Sequence, residues 1–201
     1  MWRPQQSDFL AAPFVVIGYH PASGEISGYV SALRIQAGRT DACSFAFAGH
    51  AGPRHGTPVT LQNASVNKHG EIPRANSSGS GELRTRPTGT SLLVASDALP
   101  GDCDWILESV GEPGVKIANG VYTIELLHAM PIEATMVRVV RVKRAFLHKT
   151  PSPASREKAY LVAGDYVFVT EEHNEYYRMT YSSGKKRVDG WLRKSDTLVI
   201  Q

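Results

Sequence analysis

The sequence has few of the features that would place it in a common functional class. Its only two cysteines, Cys43 and Cys103, are far apart and form no Cys-x-x-Cys pair, which excludes the metal and redox motifs built on that spacing. No run of 18 apolar residues occurs, so no segment is predicted to cross a membrane as a helix. The net charge of +3 is too small to indicate nucleic acid by itself. The composition predicts a globular protein, because 42% of the residues are apolar and only 20% are charged.

Catalytic signatures are also missing. The chain contains no Walker loop, no Rossmann glycine triplet, no kinase signature and no Gly-x-Ser-x-Gly elbow. His50 and His55 lie in a glycine-rich loop, and we interpret them as exposed histidines because zinc needs three or four protein ligands. No metal and no cofactor are therefore predicted. Helical periodicity never exceeds about one turn, and residues 104–110 are compatible with either a strand or a helix.

Short β-branched and aromatic runs, separated by Gly, Pro, Asn and Ser, are what the chain does contain. Their spacing predicts an all-β fold, with an N-terminal β-barrel or β-sandwich followed by a small barrel. The stretch 73–90 is rich in Ser and Gly and is predicted to be the most irregular part. The predicted strands are Phe14–Ile17, Ile26–Ile35, Cys43–Phe47, Val59–Leu61, Ser91–Val94, Tyr122–Leu126, Val137–Val142, Ala145–Leu147, Ala159–Val162, Tyr166–Val169 and Tyr176–Tyr181.

Charge divides the chain into two parts. Residues 1–137 have a net charge of −3, whereas residues 138–201 carry 13 basic and 7 acidic side chains, a net charge of +6. The change falls between about residues 128 and 138, and we predict domains at 1–132 and 133–201. Because their charges are opposite, we expect the two parts to pack against each other.

The last 65 residues contain a recognisable series of turns and strands. Ala145-Phe146-Leu147-His148 is followed by a long proline-containing loop, and a Gly164-Asp165 turn precedes Tyr166-Val167-Phe168-Val169. The segment closes with Gly190-Trp191-Leu192 and Ser195-Asp196-Thr197-Leu198. With these motifs, about a third of the chain resembles the bacterial SH3 (SH3b) domain family. No family is suggested for residues 1–130.

The resemblance implies an SH3-like β-barrel that binds peptidoglycan peptides or protein segments. Its groove would lie between the long loop and the turn before the last strands. We expect Trp191 to anchor the core. The resemblance places seven candidate binding residues near this groove: Lys149, Pro151, Pro153, Arg156, Tyr160, Glu175 and Tyr176.

An envelope protein with two cysteines most often joins them in one disulfide. The resemblance thus implies a Cys43–Cys103 bond and a periplasmic or secreted protein whose leader has been removed. A cytoplasmic protein with two buried thiols is the alternative.

The predicted function is that of a non-catalytic cell-envelope binding protein, with a protein or a peptidoglycan peptide as partner and no nucleic acid. Its sharper form is an immunity or inhibitor protein acting on a cell-wall-directed toxin or hydrolase. The alternative is a wall hydrolase with an SH3b targeting domain and Cys43 as its cysteine-peptidase nucleophile. Asp41-Ala42-Cys43-Ser44 departs from the Asp-Cys-Ser-Gly motif of such peptidases, and the residues after Cys43 alternate like a strand.

Overall fold

A computed structural model describes residues 9–10, 14–36, 39–52, 56–73, 78–86, 89–99, 103–110, 114–126, 136–183, 186–198 and 200. They form two antiparallel sheets and one short helix, which confirms the predicted all-β class. The first sheet contains β1 (Phe9–Leu10), β2 (Phe14–His20), β3 (Glu25–Gln36), β4 (Arg39–His50), β5 (Gly56–Asn63), β6 (Ser78–Arg86), β7 (Gly89–Ala95), β8 (Val115–Ala118) and β9 (Val121–Leu126).

The strands of the first sheet follow the order β1-β3-β4-β5-β6-β7-β9-β8, and β2 also pairs with β3. β3 and β4 pair along their whole length, from Glu25 opposite His50 to Gln36 opposite Arg39. Alternation along β4 points Cys43, Phe45 and Phe47 to one side, where all three are buried. The curled sheet thereby encloses its own apolar core.

The segment that was compatible with either a strand or a helix is helix α1 (Cys103–Val110). Cys103, Ile106 and Leu107 are buried and Val110 packs partly against the same core. This spacing is that of one helix face, and the helix lies against β3, β4 and β8.

The predicted irregular stretch is largely strand. Residues 78–86 form β6, which pairs with β5 and β7. Glycine is needed here for close approach, because a Cβ atom on Gly79 would lie 1.8 Å from the carbonyl oxygen of Ala98. Small residues that suggested an irregular stretch instead allow this strand to pass a neighbouring backbone.

The second sheet has six strands in the order β10-β13-β14-β15-β11-β12. β13, β14 and β15 form a meander, and β11 and β12 form an antiparallel pair beside it. Val167, Val169, Met179 and Leu192 are part of the apolar core of this sheet. The strands are β10 (Met136–Val139), β11 (Ala145–His148), β12 (Arg156–Leu161), β13 (Tyr166–His173), β14 (Tyr176–Ser183) and β15 (Lys186–Arg193).

The two sheets pack against each other mainly through apolar side chains. Tyr29 of the first sheet and Val137, Val139 and Phe168 of the second belong to one buried cluster. The backbone N–H of Val137 donates to Ser27 Oγ at 2.9 Å. The parts therefore meet as expected, but a shared apolar cluster dominates the contact rather than their opposite charges.

Among the described residues, one ion pair joins the two sheets. Arg138 Nη2 lies 2.8 Å from Glu25 Oε1, and the two side chains are only 14% and 23% exposed. Burial opposes the charge of Arg138, but its contacts with Tyr177 and Glu25 outweigh that effect and raise its pKa.

Candidate binding surface on the second sheet

Strand alternation separates the side chains of β11 and β12 into an inner and an outer set. Ala145 pairs with Leu161, and both are buried in the core of the second sheet. Phe146 pairs with Tyr160 one position further along, so their rings point to the outer face. Tyr160 is 44% exposed, which leaves much of its ring open to solvent.

Two arginines stack on these outer rings. The Arg156 guanidinium carbon lies 3.5 Å from the centre of the Phe146 ring, and that of Arg144 lies 5.1 Å from the centre of the Tyr160 ring. The two rings meet edge to face, with centres 5.7 Å apart. An arginine held flat on a ring keeps its N–H groups free at the rim, where they can donate to a carboxylate or phosphate.

The cations of this region are unpaired, in contrast to those of the neighbouring strands. Within the described ranges, Arg144, Lys149, Arg156 and Lys158 are exposed and form no ion pair. Lys158 lies between Arg156 and Tyr160 on β12 and is exposed like them, although the pairing of β12 with β11 is irregular there. We define the β11–β12 surface by its six residues: Arg144, Phe146, Lys149, Arg156, Lys158 and Tyr160.

Two exposed arginines elsewhere on the second sheet are neutralised by adjacent carboxylates. Arg178 pairs with Glu171 at 3.4 Å, and Arg187 pairs with Asp189 at 3.3 Å. The Arg187 charge, a hydrogen bond from Thr180 and the charge of Arg178 together lower the pKa of Asp189, with the Thr180 bond contributing most. Unpaired positive charge thus lies on β12, on the loop between β11 and β12, and on Arg144 just before β11.

Hydrogen bonds hold the loop that borders the β11–β12 surface. The backbone N–H of Lys149 donates to the carbonyl of Ser155 at 3.1 Å, and the Ser155 hydroxyl donates to the carbonyl of Thr150 at 2.7 Å. Pro153 is exposed at the start of a single 3-10 turn, and Pro151 is half-buried. The loop therefore has a defined shape beside the stacked rings.

Glu175 and Tyr176 lie on the other side of His148 from the stacked rings. Tyr176 is only 5% exposed, and its ring packs edge to face on His148 at 5.1 Å. His148 is 2% exposed and bonds through Nδ1 to the carbonyl oxygen of Ser152 at 2.9 Å. Tyr176 thus packs on the histidine that is hydrogen-bonded to the loop. Glu175 is exposed in the turn between β13 and β14.

The seven predicted binding residues consequently fall into two groups. Arg156 and Tyr160 converge on Phe146, with Lys149, Pro151 and Pro153 in the adjoining loop. Glu175 and the buried Tyr176 lie beyond His148. The prediction that these residues contact a ligand stays a prediction, and burial leaves Tyr176 little surface to offer.

The expectation for Trp191 is wrong. It is half-exposed and lies opposite Arg178 and His148, with its ring 6.2 Å from that of His173. Leu192 is the buried residue of this pair, fully excluded from solvent. Because neighbours in a strand face opposite sides, burial of Leu192 places Trp191 outside.

Three residues of the β11–β12 surface were missed as candidates: Arg144, Phe146 and Lys158. A signal for Phe146 existed, because inward Ala145 and Leu147 would send it outward. Stacking of Arg144 on Tyr160 depends on the strand register, which the sequence does not give.

The two cysteines are bonded, as predicted. The Cys43 and Cys103 sulfur atoms are 1.99 Å apart, and the bond joins β4 to α1. Both residues are buried, at 1% and 2% exposure.

The described residues contain no cluster of three or more His, Cys, Asp or Glu that could hold a metal ion. Helix α1 has eight residues, and none of the described helices has the length and apolar character to cross a bilayer.

Comparison with known proteins finds no matching family model, no similar curated protein and no similar solved structure.

Proposed function

We propose that this protein is a non-catalytic binding protein of the cell envelope, whose SH3b-like second sheet engages a protein or a peptidoglycan peptide. The observation that carries the proposal is the β11–β12 surface, where half-buried Phe146 and exposed Tyr160 meet edge to face and each ring contacts an unpaired arginine. Exposed aromatic and arginine side chains are the residue types that dominate binding energy at interfaces.

The disulfide supports the envelope location. Such bonds form and persist in oxidising compartments and are rare in the cytosol. A buried Cys43–Cys103 bond is therefore consistent with a periplasmic or secreted protein.

The sharper form of this proposal is an immunity or inhibitor protein that occupies a cell-wall-directed toxin or hydrolase. The unpaired arginines and the exposed Tyr160 ring of the β11–β12 surface would contact such an enzyme, and the buried disulfide suits the compartment in which it acts.

The test is capture from envelope extracts with the full chain as bait, followed by mixing with any hydrolase recovered. We expect one envelope protein or peptidoglycan fraction to be retained and a recovered hydrolase to lose activity. If no envelope component is retained, the proposal is wrong.

The alternative of a cysteine hydrolase requires a free thiolate at Cys43. A disulfide-bonded, buried Cys43 does not supply one. Digestion of purified sacculi by the protein, lost in Cys43→Ala but kept in Cys103→Ala, would restore the alternative.

A further inference from the structure

The outermost strand of the second sheet has a free edge. β12 is last in the strand order and pairs with β11 alone among the described strands. Such an edge presents backbone N–H and C=O groups that can pair with another extended chain. Three exposed side chains lie along it at alternate positions, those of Arg156, Lys158 and Tyr160, and the small Ala159 is exposed as well.

We propose that an extended acidic segment of a partner protein binds along the free edge of β12 as an additional strand. This inference rests on the proposed binding function and specifies the chemistry of the partner. Its side chains facing outward would lie directly beside those of β12, at a Cβ separation of about 5 Å. Because strands have a two-residue period, the segment needs acidic residues at every second position, opposite Arg156 and Lys158.

Charge and stacking select this occupant. Arg156 is fixed on the Phe146 ring and has no carboxylate partner in the described structure, so an incoming carboxylate meets a positioned guanidinium. Tyr160 offers an open ring face to an apolar or aromatic residue two positions further along. A second copy of β12 fits poorly, because it would set cations against cations.

The free edge favours a polypeptide over an anionic wall polymer. Unpaired cations alone attract any polyanion, whereas main-chain hydrogen bonds to β12 require peptide groups at strand spacing. Binding of an acidic polypeptide should therefore depend on the N–H groups of its backbone, whereas binding of an anionic wall polymer should not.

The experiment uses the full chain and labelled peptides, with affinity measured by fluorescence anisotropy. One peptide carries glutamate at alternate positions between threonines and ends in tyrosine, and its isomer has the same composition with the glutamates adjacent. We expect the alternating peptide to bind at least about tenfold more tightly.

Two further alternating peptides carry N-methyl groups on one or the other set of alternate residues. We expect binding to be lost with one set, whose N–H groups face β12, and kept with the other. Equal affinity of these two peptides, no binding of any peptide, or equal competition by polyphosphate of matched charge would overturn the proposal.

Variants locate the site. Arg156→Gln/Lys158→Gln should weaken binding at least about tenfold, whereas Arg178→Gln/Arg187→Gln removes the same charge from the paired region and should change it less than about twofold. Thermal unfolding verifies that each variant is folded. An envelope partner that binds wild type and Arg156→Gln/Lys158→Gln alike would overturn this inference and leave the proposed function standing.

Discussion

The two sheets differ in where they place their aromatic side chains: the first sheet buries them in its core, whereas the second carries two of them on its outer face. The first sheet directs Cys43 and large aromatic residues, including Phe45 and Phe47, inward to a closed core, where Cys43 is bonded to Cys103 of α1. The second sheet has a smaller apolar core and carries Phe146 and Tyr160 on its outer face between two arginines. We infer that the first sheet mainly supplies stability and the second supplies the contact surface.

Loss of the disulfide is expected to be the most costly change. Cys43→Ala/Cys103→Ala opens a loop with a sequence separation of 60, which should lower the free energy of unfolding by about 4 kcal/mol. Urea unfolding followed by Trp105 fluorescence, with Trp2 and Trp191 replaced by Phe, measures this value. A loss below about 1 kcal/mol would contradict the stabilising role of the first sheet.

The ion pair between the sheets should come next. Arg138→Met leaves the partly buried Glu25 without its cation, and removal of one partner should cost about 3 kcal/mol. The matched control is Arg178→Met, because Arg178 and Glu171 are 61% and 50% exposed; its cost should stay within about 0.5 kcal/mol. Equal losses in chemical denaturation would show that the Arg138–Glu25 pair contributes no more to stability than an exposed pair does.

The close approach at β6 gives a smaller effect. Gly79→Ala would force its new methyl group into the Ala98 carbonyl and should destabilise the protein by about 2 kcal/mol. Gly52→Ala is the control, because no atom lies within 4 Å of its added Cβ. If both variants have the same melting temperature, the packing of β6 is not as described.

The smallest expected change concerns Asp196, in the 3-10 turn that follows β15. Burial raises the pKa of its carboxyl, although Arg193, His148 and Arg141 oppose that rise. Because the folded-state pKa exceeds the unfolded one, stability from the protonated form is present at low pH and lost as pH rises through the folded value. Asp196→Asn should therefore slightly raise the melting temperature at neutral pH and not below the unfolded pKa. A lowered melting temperature at neutral pH would contradict this reasoning.

Local patterns predicted part of this structure. Gly164 has a φ of 92° and Asp165 Oδ2 accepts from the N–H of Val162 at 2.8 Å, so the predicted Gly-Asp turn is confirmed. Tyr177 and Met179 share the core side and Tyr176 faces the other, as alternation required.

What depends on distant contacts was not predictable. Strand β6 needs small residues because the backbone of Ala98 passes close to Gly79. An irregular loop can have the same Ser- and Gly-rich composition as residues 73–90, so composition alone does not distinguish the two. The β11–β12 surface depends on a register that places Tyr160 beside Phe146, 14 positions away in sequence. Sequence spacing identifies candidate residues but not which of them touch.

Hydrogen exchange at the backbone of β12, with and without the captured envelope partner, shows directly whether the partner binds along this strand. If the partner binds along this strand, amides of residues 156–161 on its free edge should gain protection, while those of β14 at 176–183 should not change. Protection confined to β14, or to the first sheet, would place the contact elsewhere and contradict the account.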